Sequence, residues 1–476
     1  MSSPLDWLLR VALALGCVAG TAQTVAQGLP QPVRQALAQS GIPESAVAIY
    51  VQDVAQTEPL VTLNVDTAFN PASTIKLLTT YAALDLLGPA FAWSTEVLTT
   101  GRLEGDVLSG DLVLRGNGDP KLTLEAFWLL LRQVRARGIR EIRGDLVLDR
   151  TAFAPDDGDP SRFDNEPTRP YNTPPDALLV NFRAIRVSFV PDPERRTVNV
   201  LVEPALPQVQ VLSNLVLDNE PCGDWLARMK VTATGTGNAA RLLLSGAYST
   251  QCGERTRNYS VLNHSQYVLG LFQLLWRELG GTFNGGVRDG APPPGAKLLF
   301  AQPSPPLAEL VRDINKYSNN VMARQLFLTL GAAVMGAPAD ADKAARAVRQ
   351  WAAQKKLALP ELVLENGSGL SRIERITARG MGQLLLSAWR SPVMSELMSS
   401  LPLVAVDGTM KRRLANSELA GQAHIKTGSL TNVRAIAGYV LDARGRTVIV
   451  VCLVNHPRAL AAQPVQDALL AWVYGR

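Results

Sequence analysis

The sequence predicts an α+β fold: one sheet flanked by helices, assembled from both ends of the chain and interrupted by a nested, β-rich double insertion. Three observations carry this. Strand-like runs lie near the start, at 45–53 and 60–64, and again near the end, at 423–428, 435–442 and 447–453. Helix-period apolar patterns fill 76–87 and 307–388 between them. From about 92 to 300 the texture changes to short alternating runs, the period of half-buried strands.

Composition bounds the rest. The chain has 476 residues, 47% hydrophobic and 19% charged, enough for a large buried core and about three domains. The net charge is +5, but Lys and Arg are scattered, so no nucleic-acid partner is expected. Residues 1–27 read as a signal peptide: Arg10 precedes an apolar stretch from Val11 to Gly20, and small residues follow. Export to the periplasm or the extracellular space is expected. Cys17 in a poor lipobox is the alternative that would leave the protein membrane-associated. Cys452 lies in a buried-strand pattern and reads as an inert thiol. Cys222 and Cys252 remain, and in an exported protein they are expected to pair.

Taken in order, 30–40 suits a short helix. Pro71 then stands where a helix tolerates a missing N–H. Leu77, Leu78, Tyr81, Ala82, Leu84 and Leu86 follow at helical spacing, until Gly88 and Pro89 stop the run. Strands are expected at 95–100, 107–114 and 142–148, with a helix at 122–137. Residues 110–114 and 144–148 nearly repeat and read as two turn-then-strand units. The Asp-, Pro- and Asn-rich stretch 154–176 reads as a long loop or lid. Alternating runs return at 185–190, 197–202, 208–215, 229–233 and 241–247. The glycines at 235 and 237 mimic a dinucleotide-binding turn, but a strand follows them, not a helix, so no cofactor is expected. A helix at 265–278 and a Pro-rich linker at 291–306 end the insertion. Helices are expected at 307–315, 321–330, 341–355, 378–388 and, after the last strands, 464–473. The division is 1–27 signal; 28–91 with 301–476 as the main domain; 92–116 with 185–300 as inserted domain II; and 117–184 as nested domain III.

Three short patterns carry chemistry. Ser73 and Lys76 are spaced i,i+3 at a helix start, so a hydroxyl stands beside an amine on one face. A serine hydroxyl needs a neighbouring base, and a desolvated lysine near other cations can be one. The bland reading is a polar first turn capping a core helix. Ser318 and Asn320 occupy a loop between two helices, where the alternative is a plain interhelical turn. Lys426, Thr427, Gly428 and Ser429 open the first late strand. Lys426 and Thr427 suit a substrate carboxylate, and Gly428 would let a substrate backbone approach. No metal-ligand spacing is present.

With these motifs in this order, on helix, loop and strand, the chain resembles the serine acyl-transferases of the penicillin-binding protein and β-lactamase superfamily. The long β-rich gap between Ser73 and Ser318 makes it similar to the class C low-molecular-mass penicillin-binding proteins, the D-alanyl-D-alanine carboxypeptidases/endopeptidases. The resemblance covers nearly the whole mature chain, with support from 365–372 and 406–413; Asn366 stands where the family usually has Asp. It implies a penicillin-binding catalytic domain at 28–91 and 301–476, peptidoglycan stem peptides as substrates, and β-lactams as covalent inhibitors. It implies Ser73 as nucleophile, Lys76 as its base, Ser318 as proton relay and Asn320 as a substrate-amide ligand touching Lys76. Lys426 and Thr427 would hold the terminal carboxylate, and backbone N–H groups of Ser73 and Ser429 would form the oxyanion hole. Tyr171 and Arg372 match positions that contact the peptide side chain, against plain readings of loop packing and a surface ion pair. The rivals are a β-lactamase on the same fold, a non-catalytic wall-binding protein, and a Ser-His-Asp hydrolase using His424.

Overall fold

The computed structural model describes residues 28–476 apart from Asp157 and Thr236. The signal segment and Cys17 lie outside the described residues.

The central sheet has five antiparallel strands in the order Val61–Leu63, Val47–Asp53, Thr447–Asn455, Val433–Leu441, Ala423–Leu430. Both chain ends therefore build it, as the fold class requires. Side chains alternate across a strand, and the two faces feed different cores. Val47, Ile49 and Val51 join Val448, Val450 and Cys452 under the terminal helices Gln31–Ser40 and Gln463–Tyr474. Ala48 and Tyr50 join Ile449, Val451 and Leu453 against the helices of the central part of the chain. Ile425 belongs to the first face, so Lys426 and Gly428 are directed to the second. That alternation aims Lys426 at the helices.

The helix Lys76–Leu87 is buried on all sides from Lys76 to Leu84, as an all-round apolar helix must be. The turn before it, Ala72–Ile75, is 3-10. The expectation was a continuous α-helix from Pro71. In a 3-10 turn, residues i and i+3 eclipse, which brings Lys76 directly over Ser73.

The insertion leaves and re-enters the main domain at one point. Ser94–Thr99 pairs antiparallel with Lys297–Pro303, and Trp93 N–H donates to Ser304 Oγ at 3.0 Å. This corrects the Pro-rich linker expected at 291–306: most of its prolines flank the apolar run 297–302, and the strand formed there ends on Pro303. The stretch 117–184, expected as a nested domain, pairs with strands on either side of it. Leu146–Asp149 lies parallel between Leu112–Arg115 and Val287–Asp289, and helix Leu124–Ala136 packs in the same core. Parallel neighbours need a helical crossover, and that helix supplies it. The two near-repeats are thus adjacent strands in register, Leu112 opposite Leu146 and Leu114 opposite Leu148. Two three-stranded sheets between 185 and 259 complete the insertion. Cys222 and Cys252 form a disulfide there, and Cys452 is a buried free thiol.

Candidate active site

Three elements converge on one cleft. The 3-10 turn presents Ser73. Asn70 shapes it: Asn70 Oδ1 accepts the Ala72 N–H at 2.8 Å, and Asn70 Nδ2 donates to the Ser371 carbonyl at 2.9 Å. The junction between helices Leu307–Lys316 and Asn320–Met335 presents Ser318 in a left-handed conformation, φ 56°. A serine rarely adopts that conformation unaided. Its neighbours hold it: Asn319 caps the second helix through Met322 N–H at 3.0 Å, and Lys316 Nζ donates to both oxygens of Asp407 at 2.9 and 2.7 Å. The edge strand Ala423–Leu430 presents Lys426 and Thr427.

Lys76 Nζ lies 3.0 Å from Ser73 Oγ and donates to Asn320 Oδ1 at 2.6 Å and to the Ser368 carbonyl. Lys426 Nζ lies 2.9 Å from Ser318 Oγ and donates to its neighbour's carbonyl at Thr427, 2.8 Å away. The Thr427 and Thr409 hydroxyls are 2.7 Å apart. Ser73, Lys76 and Asn320 therefore form one hydrogen-bonded group and Ser318 with Lys426 a second, and the Lys426 charge acts on Lys76.

Both lysines are completely buried. Desolvation, the Lys426 charge and the Arg324 charge hold Lys76 well below the usual ammonium range, while Glu374 opposes them. Burial lowers Lys426 to about 7. A neutral amine carries two N–H groups and one lone pair. Around Lys76 two carbonyl oxygens take the N–H groups, leaving the lone pair for the Ser73 hydroxyl.

Gly428 has a role that the sequence did not show. A Cβ there would lie 2.7 Å from the Pro71 carbonyl oxygen and 3.1 Å from the Ser73 nitrogen. The bare glycine lets the edge strand press against the nucleophile turn itself. Gly428→Ala is therefore expected to displace Ser73 and slow acylation about 10- to 100-fold, because reacting groups misplaced by ~1 Å lose that much. Acylation kinetics with a fluorescent penicillin, at unchanged circular dichroism, check it.

Of the remaining expected residues, Arg372 lies beside a second feature. A cavity of about 600 Å³ opens between the 154–175 loop and the 365–373 segment, lined among others by Phe163, Asn172, Arg324, Asn366 and Arg372. The Arg372 guanidinium lies 4.4 Å from the centre of the Phe163 ring, so it is stacked on the loop, and it has no ion pair among the described residues. Tyr171 is exposed, and its hydroxyl donates to Asp164 Oδ2 at 2.7 Å; burial and that carboxylate push it up to about 12. It is tied to its own loop and does not line the cavity. Asn366 Nδ2 donates to the Leu370 carbonyl at 3.0 Å, a bond an Asp could not make, and Asn366 Oδ1 accepts from Ser368. Ser429 is exposed at the edge strand; among the described residues His424 makes no hydrogen bond to either serine, and its buried Nδ1 has no partner. The Ser368 carbonyl, Thr409 and Glu374 were missed; they lie in or just past stretches whose sequence carried no stated role.

The model of the D-Ala-D-Ala carboxypeptidase 3 (S13) family matches residues 29–474. The chain is 28% identical over 417 residues to D-alanyl-D-alanine carboxypeptidase DacB of Haemophilus influenzae, covering 87% of this chain and 86% of that one. It is 28% identical over 446 residues to the D-alanyl-D-alanine carboxypeptidase of Actinomadura sp. strain R39, covering 90% and 81%. The crystal structure of penicillin binding protein 4 from H. influenzae superposes with a TM-score of 0.79 at 26% identity, covering 93% of this chain and 99% of that one. The same protein complexed with a β-lactam superposes at 0.75.

Proposed function

The chain belongs to the D-Ala-D-Ala carboxypeptidase 3 (S13) family, and from that premise we propose that it is a serine D-Ala-D-Ala carboxypeptidase of peptidoglycan stem peptides, working through a Ser73 acyl-enzyme that β-lactams also form. The observation that carries this reading is the buried Lys76 amine, within 3.0 Å of Ser73 Oγ and held by two carbonyl oxygens.

Uncharged Lys76 takes the Ser73 proton as Oγ attacks the carbonyl between two D-alanines. The oxyanion is received by the N–H groups of Ser73 and Ser429, which the close approach at Gly428 brings to one side of the cleft. Ser318 passes a proton to the departing D-Ala amine and is reprotonated through Lys426 and Lys76. Water then hydrolyses the ester. The strand 423–430 is a sheet edge whose first part is covered, with Ile425 N–H donating to the Pro402 carbonyl at 2.8 Å and Val404 N–H to the Ala423 carbonyl at 2.9 Å, so an extended peptide would pair with its later residues. Lys426 and Thr427 hold the terminal carboxylate. Arg372, beside the cavity, is the proposed contact for the peptide's third residue, and Tyr171, held by Asp164, would need to leave its own loop to join it. Catalysis of this kind belongs in an exported protein. Among the described residues no helix is long and apolar enough to cross a membrane.

Lys426 supplies charge for that carboxylate only while protonated, and its folded value is about 7. For a substrate with a free C-terminal carboxylate, kcat/KM is expected to decline as pH rises above about 7. A substrate amidated at that end lacks the decline. Steady-state profiles of the two substrates check it.

Mass spectrometry of defined muropeptides tests the reading as a whole. Loss of one D-Ala from a pentapeptide stem is the expected result, and cleavage of a cross-linked dimer would add endopeptidase activity. Neither product, from folded enzyme, overturns the reading.

A further inference from the structure

We propose that Glu374, which lies outside every motif read from the sequence, is the positioning residue of the base: it locks the loop that holds Lys76 and supplies the negative charge that balances the cations around that amine. The inference rests on the reading of Lys76 as the base.

Glu374 is completely buried. Its Oε1 accepts the N–H groups of Glu365, Asn366 and Gly367 at 3.2, 3.0 and 2.8 Å, and its own N–H donates to Ser371 Oγ at 3.0 Å. Three backbone donors converging on one carboxylate oxygen fix a loop firmly. That loop meets the nucleophile turn at three places. Its Ser368 carbonyl accepts from Lys76 Nζ, and its Gly367 carbonyl accepts from Thr79 Oγ1 at 2.7 Å. Gly369, at φ 80°, packs so tightly that a Cβ would lie 2.1 Å from the Ala72 carbonyl oxygen. Glu374 therefore orients the Lys76 amine through a carbonyl that it holds in place.

The second oxygen points to an electrostatic role. Oε2 is buried and has no hydrogen-bond partner among the described residues. A neutral glutamine could anchor the loop through Oε1 equally well, and an orphan carboxylate oxygen is costly. The charges facing Lys76 are Lys426 from the edge strand, Arg324 from helix Asn320–Met335, and Glu374 from the loop. Glu374 is the negative member. Arg324, whose Nε is also buried without a hydrogen-bond partner among the described residues, faces Asp156, Glu365 and Glu374. Burial raises the Glu374 carboxyl, against the three N–H groups and Lys76.

The test is the second-order rate of acylation of the full chain by benzylpenicillin as a function of pH, with the melting temperature of each variant. The acid limb marks loss of the proton from Lys76. Glu374→Gln keeps the Oε1 acceptor but removes a charge that favours the ammonium, so the limb is expected to move about one pH unit lower. Arg324→Gln removes a cation and is expected to move the limb higher. Glu374→Ala loses the anchor and is expected to slow acylation about tenfold or more at every pH. An unmoved limb in folded Glu374→Gln, or, if that variant does not fold, an unmoved or lowered limb in Arg324→Gln, overturns the proposal. Wild-type protein that benzylpenicillin does not acylate would instead sink the acyl-enzyme reading.

Discussion

Replacing Ser73 with alanine is expected to abolish the covalent penicillin adduct and to cut D-Ala release about 10⁵- to 10⁶-fold, the scale of losing a nucleophile that works as a unit with its base. The measurement is the intact mass after incubation with benzylpenicillin, beside the rate on a tripeptide ending in D-Ala-D-Ala. The fold should be indifferent. Ser73 is only part-buried, and the turn that carries it is shaped by Asn70 and by Thr74, whose hydroxyl donates to the Pro71 carbonyl at 2.7 Å. An adduct of undiminished yield in Ser73→Ala would mean that another group is acylated.

The second large effect is at Lys76. Lys76→Met keeps the length and the apolar stem and removes the amine, and acylation is expected to fall about 10³- to 10⁴-fold, the upper range for a positioned base. Stability works in two directions. Asn320 Oδ1 and the Ser368 carbonyl lose their donor, at about 1–3 kcal/mol for each buried acceptor left unpaired. The same change removes an amine whose charging is opposed by complete burial. The net change in melting temperature is therefore expected to be small against the loss of activity. A variant that acylates normally, or that fails in proportion to its unfolding, would show that Lys76 is structural. The pH dependence of stability separates this further. Lys76 and Lys426 are both depressed in the folded state. The unfolded chain therefore binds more protons from the folded values up to the ordinary lysine range. Across that window their contribution to stability rises with pH, and Lys76→Met should flatten part of the rise.

The strands, the helices and the order of the motifs were legible because each depends on near neighbours in sequence. The strand at 47–53 and the all-apolar helix after Ser73 are local signals of period two and 3.6. Where the reading slipped, a local signal was outweighed. Prolines at both ends of 291–306 masked a strand that only its partner at 94–99 stabilises. The parallel pairing of 112–115 with 146–149 was likewise not legible, because it leaves no mark in the intervening turns.

The sequence by itself determined the residue sets that share one element: Ser73 with Lys76, Ser318 with Asn320, and Lys426 through Ser429. It also determined that the sheet is closed by both chain ends. Spacing along a helix or strand is enough for that, because backbone geometry is the same in every protein. Tertiary structure alone decided that Lys76 meets Asn320 across 244 positions and Ser368 across 292. It alone decided that both lysines are stripped of water, that Gly428 makes room for Ser73 and not only for a substrate, and that Glu374 lies beneath the base. Burial, close approach and the local field are sums over neighbours brought from distant parts of the chain, and no window of sequence contains them.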